Sequence, residues 1–367
     1  MHSVSQPVIA PSRPSGSARP SDRPRADDQQ DGEGLTRVAV AGATGYTGQE
    51  LLRVLARHPA VTIVAATSSA ASSASSPAAS RKLAALARLW NGTVTPLDRD
   101  ALAREADVVF LALPDAAAAD LVPVLLDAGV RVIDLSGAFR LRDAAARAKW
   151  YPETRRVPDG VAYGLTERER PAIARAPMVA NPGCYPTATL LALLPLADAG
   201  LLLPSSDIIV DAKSGVSGAG KTPTERTHFS ECHGNLSAYG VFGHRHGAEI
   251  EQGMGRTVIF TPHLVPLDRG ILSTIYVRVV PGTTEEALGD AYQRAYGGAT
   301  FIRLVGSSLP QIKDVAHTNF CDVGWRVDSS GRAILVSVID NLLKGASGQA
   351  VQNMNVMLGI DERLGLL

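Results

Sequence analysis

The chain carries no excess of charge: Lys plus Arg and Asp plus Glu each number 36 among 367 residues. Without a basic surplus or a polybasic cluster, binding to nucleic acid or to an anionic membrane has no electrostatic footing. No uninterrupted apolar run approaches the length of a transmembrane helix, and no segment repeats. Cysteine is scarce. Cys184, Cys232 and Cys321 are odd in number and far apart, which speaks against a disulfide framework and for a reducing, cytoplasmic setting. Close ligand pairs such as Cys-x2-Cys or His-x3-His are missing too, so no metal is expected. What is present is ordinary soluble-protein material, 45% hydrophobic and 20% charged, in a chain long enough for two domains with separate cores.

Residues 1–35 are rich in Pro, Ser, Arg and Asp and nearly devoid of large apolar side chains, the composition of a disordered tail. Asp27, Asp28, Asp31 and Glu33 argue against a transit peptide, and no apolar signal core follows the start. A second low-complexity patch, 68–80, is almost all Ala and Ser and reads as a flexible surface loop.

From Thr36 the pattern becomes regular. A short apolar strand at 37–41 leads into Gly42-Ala43-Thr44-Gly45-Tyr46-Thr47-Gly48, and a helical stretch at 49–55 follows. Strand, glycine turn and helix in this order let the backbone approach a pyrophosphate at a helix N-terminus. The Gly-x-x-Gly-x-x-Gly spacing is weak alone, and its context strengthens it. After a second strand at 61–66, an NAD site usually places a carboxylate for the ribose 2′-OH. Here Thr67-Ser68-Ser69 stands instead. Hydroxyls can donate to a 2′-phosphate that a carboxylate would repel, so NADP is favoured over NAD; the plainer reading of these residues is a polar loop. Further strands at 107–113 and 131–135, with a helix at 116–128 between them, indicate βαβ units and a doubly wound parallel sheet of Rossmann type. Leu113-Pro114 and Ser136-Gly137 then fall at strand C-terminal ends, where such sheets bind ligands.

Asn181-Pro182-Gly183-Cys184-Tyr185-Pro186-Thr187 follows an apolar strand ending at 176–180 and precedes a helical pattern at 187–199. Cys184 is thereby expected on an exposed strand-to-helix elbow, where free N–H groups and the helix dipole lower a thiol pKa. A small buried cysteine is the bland alternative. The flanking Pro-Gly and Pro-Thr favour the nucleophile.

Beyond Cys184, strand-like stretches at 208–210, 258–260, 272–280, 323–327 and 333–340 suggest an α+β domain with a mostly antiparallel sheet. Ser329-Ser330-Gly331 joins the last two as a hairpin, and one sheet face is expected to serve an oligomer interface. His228, His233, His244, His246 and His263 concentrate here, and spacing selects none of them as an acid/base partner for the thiol. Lys213-Ser214-Gly215-Val216-Ser217-Gly218-Ala219-Gly220-Lys221 has the character of an anion cradle, and equally of a flexible loop.

With these segments, and with Ile133-Asp134-Leu135-Ser136-Gly137-Ala138-Phe139-Arg140, His244-Arg245-His246 followed by Glu249-Ile250, and Asp340-Asn341-Leu342-Leu343-Lys344-Gly345-Ala346-Ser347-Gly348-Gln349-Ala350, the chain resembles the N-acetyl-gamma-glutamyl-phosphate reductases, arginine-pathway members of the aspartate-semialdehyde dehydrogenase-like superfamily. The resemblance runs from about residue 36 onward and implies two parts. Residues 36–183, completed by a C-terminal helix at about 346–367, would bind NADP. Residues 184–345 would form the catalytic and oligomerisation domain of a homodimer or homotetramer. It further implies Cys184 as nucleophile and His246, or else His244, as acid/base. Gly42, Thr44, Gly45, Tyr46, Thr47, Gly48, Thr67, Ser68, Leu113, Pro114, Ser136, Gly137 and Asn341 would line the cofactor, and Arg140, Lys213, Ser214 and Lys221 would hold substrate phosphate or carboxylate. The implied reaction is NADPH-dependent reduction of N-acetyl-L-glutamyl 5-phosphate through a cysteine thioester. N-acetyl-aminoadipyl phosphate or aspartyl phosphate on the same scaffold, and a non-catalytic NADP-binding regulator, are the alternatives.

Overall fold

Short buried apolar strands separated by helices dominate the first half. These are β1 (Thr36–Ala41), α1 (Tyr46–Leu55), β2 (Val61–Ser68), β3 (Val94–Pro96), α2 (Arg99–Glu105), β4 (Val108–Leu111), α3 (Asp115–Asp127), β5 (Arg131–Asp134), α4 (Ala144–Trp150), β6 (Val161–Tyr163), α5 (Thr166–Ile173) and β7 (Met178–Ala180). In this computed structural model residues 34–68 and 80–367 are described; the expected tail up to residue 33 and the Ala/Ser loop from 69 to 79 lie outside them. The strands form one sheet in the order β3-β2-β1-β4-β5-β7-β6, every neighbouring pair parallel. Val38, Val40, Val108 and Phe110 face one core and Ala39, Ala41, Val109 and Leu111 the other, which is why these strands read as unbroken apolar runs rather than alternating ones. The order reverses between β1 and β4, and a doubly wound sheet opens its ligand crevice at that point.

The second half contains α6 (Cys184–Asp198), β8 (Ile209–Gly215), α7 (Phe229–Cys232), β9 (Ser237–Ala238), α8 (Arg245–Met254), β10 (Ile259–Val265), β11 (Ile271–Arg278), α9 (Glu285–Tyr296), β12 (Ile302–Gly306), α10 (Ile312–Val315), β13 (Cys321–Val327), β14 (Arg332–Ile339) and α11 (Gly348–Met357). Its sheet runs β12-β13-β14-β11-β8-β10-β9. Two pairs, β12–β13 and β8–β10, are parallel and the rest antiparallel. The turn at 328–332 joins β13 to β14, with Asp328 Oδ1 accepting from the N–H groups of Ser330 and Arg332. Helix α6 is apolar almost all round and packs Leu190, Leu191, Leu193 and Leu196 into the core that also holds Val210, Ile275 and Leu335.

Gly34–Leu367 is a single compact unit. Ala350, Val351, Met354 and Met357 of α11 share a core with Val38 and Val40 of β1 and Leu51 and Leu52 of α1. Every residue of α11 is buried, including four amides. No helix among the described residues is long and apolar enough to cross a membrane.

Candidate active site

The glycine turn lies at the reversal of strand order. Gly42 has φ +89°, and a Cβ there would fall 2.1 Å from the carbonyl oxygen of Ala112, just beyond β4. A Cβ on Gly48 would lie 2.2 Å from the Gly42 carbonyl oxygen. Both positions are closed by the protein itself. Gly45, the N-cap of α1, is different: its nearest neighbour would be 3.7 Å away. Its missing side chain serves no internal packing and leaves the backbone open to a ligand. The N–H groups of Gly42 and Ala43 donate to the Thr67 carbonyl at 2.9 and 2.8 Å, joining the turn to the end of β2. Thr67 Oγ1 is buried with no hydrogen-bond partner, a polar atom of the kind a ligand would satisfy. Ser68 is half-buried beside it.

Across a cleft of about 500 Å³, Tyr46 and Gln49 face Ser217, Gly220 and Lys221. Thr44 is buried, and its carbonyl accepts from Gln49 Nε2 at 2.9 Å and from Lys221 Nζ at 3.4 Å. Thr47 lies in the first turn of α1. An open glycine, an unpartnered hydroxyl and a helix N-terminus fit a dinucleotide phosphate. The other expected cofactor residues are more committed. Leu113 is buried and Pro114 caps α3. Ser136 Oγ donates to Asp134 Oδ2 at 2.7 Å, the Gly137 N–H donates to Asp115 Oδ1 at 2.7 Å, and a Gly137 Cβ would strike the Tyr151 ring at 2.2 Å. Asn341 Oδ1 accepts from the Gly270 N–H at 2.7 Å while its Nδ2 donates to Ser217 Oγ at 2.9 Å. These groups are held by the protein's own contacts and do not line that cleft.

Cys184 is the first residue of α6, with Gly183 as N-cap. The helix begins three residues before the expected start, because Pro186 falls in the first turn, where its missing N–H has no intrahelical use. The thiol departs from expectation too. Cys184 is half-buried, and burial pushes its pKa up to about 11; the Arg140 charge and the Tyr185 N–H offset this only in part. Loss of solvent outweighs the helix dipole here.

Histidines 244 and 246 take different places. His244 is the N-cap of α8, its Nδ1 accepting from the His246 N–H at 3.1 Å, and burial followed by Arg245 lowers its pKa to about 4. His246 projects to the elbow, so that a Cβ on Gly183 would lie 2.5 Å from His246 Nε2. Burial, then His244, Arg140 and Arg245, hold His246 well below the ordinary histidine range, leaving the ring neutral. Its Nδ1 is buried without a partner. The other three are elsewhere: His233 stacks on Phe229, His228 caps α7, and His263 Nδ1 lies 3.1 Å from Asp211 Oδ1.

Arg140 is buried under the elbow, donating from Nε to the Asn181 carbonyl at 2.8 Å and from Nη2 to the Leu135 carbonyl at 2.7 Å. Its Nη1 lies 3.5 Å from both His246 Nε2 and Glu249 Oε2. Ser214 Oγ donates to the Gly215 carbonyl, and Lys213 pairs with Asp211 at 2.9 Å. The expected cradle is therefore half strand, with residues 213–215 in β8 and a tight turn at Val216–Ala219. Lys221 alone of the expected substrate residues is exposed on the cleft.

Models of the semialdehyde dehydrogenase NAD-binding domain and of the semialdehyde dehydrogenase dimerisation domain match residues 37–176 and 184–341. Curated N-acetyl-gamma-glutamyl-phosphate reductases from Syntrophobacter fumaroxidans and Brevibacillus brevis are 46% and 44% identical over 342 and 343 residues. Each comparison covers 90% of this chain and 98% of the relative. The chain belongs to the N-acetyl-gamma-glutamyl-phosphate reductase family. The fold of this reductase is shared by aspartate semialdehyde dehydrogenase II from Vibrio cholerae, solved with ASA, at TM-score 0.68 and 21% identity over 89% of this chain and 99% of that one. The Candida albicans aspartate semialdehyde dehydrogenase, solved with NADP, matches at TM-score 0.63 and 18% identity over 88% and 98%.

Two side chains of the reductase site went unread as candidates in the sequence. Glu249 Oε1 accepts from the Gly183 N–H at 2.9 Å and from the Tyr163 hydroxyl at 2.7 Å, so a buried carboxylate pins the residue before the cysteine. The signal for Glu249 was its place three residues after His246, on the same helix face. Tyr163 left no local signal. Among the described residues no group of three or more His, Cys, Asp or Glu is placed to hold a metal ion.

Proposed function

We propose that this reductase converts N-acetyl-L-glutamyl 5-phosphate to N-acetyl-L-glutamate 5-semialdehyde and phosphate, with NADPH as reductant, in cytoplasmic arginine biosynthesis. The observation that carries the reading is a thiol on the first turn of α6 with a neutral imidazole packed against the preceding glycine. The names of relatives that cover nearly the whole chain supply the substrate. We assign NADP binding to residues 36–183 with 346–367, and catalysis and subunit contact in a dimer or tetramer to 184–345.

His246, kept neutral by burial, takes the proton of Cys184 as the thiolate attacks the acyl carbon. The carbon–oxygen bond to phosphate breaks, phosphate leaves, and a thioester remains on Cys184. Arg140 provides positive charge beside the elbow as anionic character develops, and Lys221 faces the substrate's anionic groups from the cleft. When bound, NADPH supplies the hydride that reduces the thioester. His246 then returns its proton as the carbon–sulfur bond breaks and the semialdehyde leaves. Gly45 with Tyr46 and Thr47, on the turn that Gly42, Thr44 and Gly48 shape, would receive the pyrophosphate, and Thr67 and Ser68 the 2′-phosphate.

The test runs the reaction backward. Purified full-length chain should reduce NADP in the presence of N-acetyl-glutamate semialdehyde only when phosphate is added. Greater turnover with the N-acetyl-aminoadipate or aspartate semialdehyde would overturn the substrate assignment, and absence of turnover with all three would overturn the activity.

A further inference from the structure

Among the described residues Lys344 is the largest charged side chain without solvent exposure, and it lies at the turn behind the cysteine. The main chain from Asp340 to Ser347 is wound wider than an α-helix: the N–H groups of Gly345 and Ser347 donate five residues back, to the carbonyls of Asp340 and Leu342 at 2.9 Å each. Such π-turns are rare and concentrate at functional sites. This one, with the start of α11 that continues it, touches the elbow at three places. A Cβ on Gly345 would lie 2.8 Å from the Cys184 Cβ. The Ala346 carbonyl accepts from Asn181 Nδ2 at 3.2 Å. Gln349 Nε2 donates at 2.9 Å to Thr187 Oγ1, which itself donates to the Gly183 carbonyl at 3.0 Å. Residues 181 and 184 thus meet the turn itself, and 187, with 183 through it, is held by Gln349 of the first turn of α11 that continues it.

The turn is in turn held by Lys344. Its Nζ reaches Glu167 Oε1 of α5 at 2.6 Å and Gln352 Oε1 of α11 at 2.8 Å, with the Phe301 ring centroid at 5.7 Å. Gln352 Nε2 donates to the same Glu167 oxygen at 3.0 Å. Both charges are fully buried. A buried pair of this kind is weak evidence for stability, because well-packed apolar replacements of similar volume often do as well. Stability alone therefore gives no reason for a lysine and a glutamate here.

We propose that Lys344 and Glu167 are positioning residues for the reaction: their buried ion pair fixes the π-turn and so sets where the elbow presents Cys184. The inference rests on Cys184 being the nucleophile. It distinguishes Lys344 from His246 and Cys184, which touch the reacting atoms, since Lys344 acts only through Gly345, Ala346 and Gln349.

The test compares Glu167→Gln, and the double variant Glu167→Gln/Lys344→Met that leaves no unpaired charge, with the full-length wild type. Three quantities are read: kcat with KM for NADPH, the thermal melt, and the rate at which iodoacetamide alkylates Cys184 across pH. The positioning role requires kcat to fall tenfold or more in the double variant with KM for NADPH within twofold. It also requires the Cys184 alkylation profile to shift while the protein melts cooperatively. Wild-type kcat and alkylation in a folded double variant would overturn it. So would a kcat loss in Glu167→Gln that merely follows loss of folded protein or of NADPH binding. Alkylation and NADPH binding need no acyl phosphate, so failure of this inference is separable from an error in the assigned substrate.

Discussion

Gly183 and His246 are in contact across the elbow: any side chain at Gly183 would place its Cβ 2.5 Å from His246 Nε2. The imidazole occupies the space that the glycine leaves. Gly183→Ala should therefore displace the ring from the elbow and mimic loss of the base. Both Gly183→Ala and His246→Asn are expected to lower kcat by ~10²–10⁴-fold, the range for removing a general acid–base group. NADPH affinity, followed by fluorescence titration, should stay near wild type. Normal turnover in His246→Asn would leave His244 as the acid/base.

Cys184→Ser keeps the size of the side chain and removes the thiol. Turnover should fall to background while NADPH binds as before, since the serine lies outside the glycine turn. Wild-type-like activity would remove the cysteine from the chemistry.

Burial disfavours the charged form of the thiol and pushes its pKa up to about 11. Only the thiolate is alkylated. Below that value its fraction rises about tenfold per pH unit, so inactivation by iodoacetamide should climb steadily from neutral pH toward 11. A plateau reached near pH 7 would show an activated thiolate instead.

Thr67 and Ser68 end β2 where a carboxylate would select NAD. Ser68→Asp should raise KM for NADPH tenfold or more, about 1.4 kcal/mol, with little change for NADH. Steady-state kinetics with both reductants decide it; equal effects on the two would separate Ser68 from the 2′-phosphate.

Burial alone would raise the Glu167 pKa, and the Lys344 charge together with its hydrogen bonds brings it below the ordinary 4.5 instead. A depressed carboxylate contributes stability that is present above its unfolded pKa and is lost as pH falls through the folded value. Urea midpoints of wild type and Glu167→Gln should thus differ most above pH 5 and converge in more acid solution. A constant difference across that window would show that the charge plays no part.

Much of this was legible in the sequence, for physical reasons. Strands such as β1 and β4 are buried on both faces, so they appear as continuous apolar runs, and the glycine turn announces itself through its position between strand and helix. The cysteine segment carried its own context in Pro182, Gly183 and Pro186. What stayed hidden depends on distance along the chain. The raised thiol pKa comes from burial by the folded surroundings, not from the elbow. Glu167 and Lys344 meet across 177 residues, and nothing local tells that either one has the other as its partner. The three-residue β3, β6 and β7 are too short for period to identify reliably.

The packing of α11 also governs how the chain can acquire its fold. Ala350, Val351, Met354 and Met357 complete the core begun by Val38, Val40, Leu51 and Leu52, with some three hundred residues of chain between them. Asn355 reaches His58 at 2.9 Å from the far end of the sequence, and Asn353 reaches Thr166 at 2.7 Å. Many multidomain chains fold their N-terminal part first during synthesis. Here the core beneath the glycine turn is incomplete until residues 348–357 have been made. A chain stopped before α11 leaves the apolar side chains of β1 and α1 in that core without their partners, and is expected to aggregate rather than bind a nucleotide.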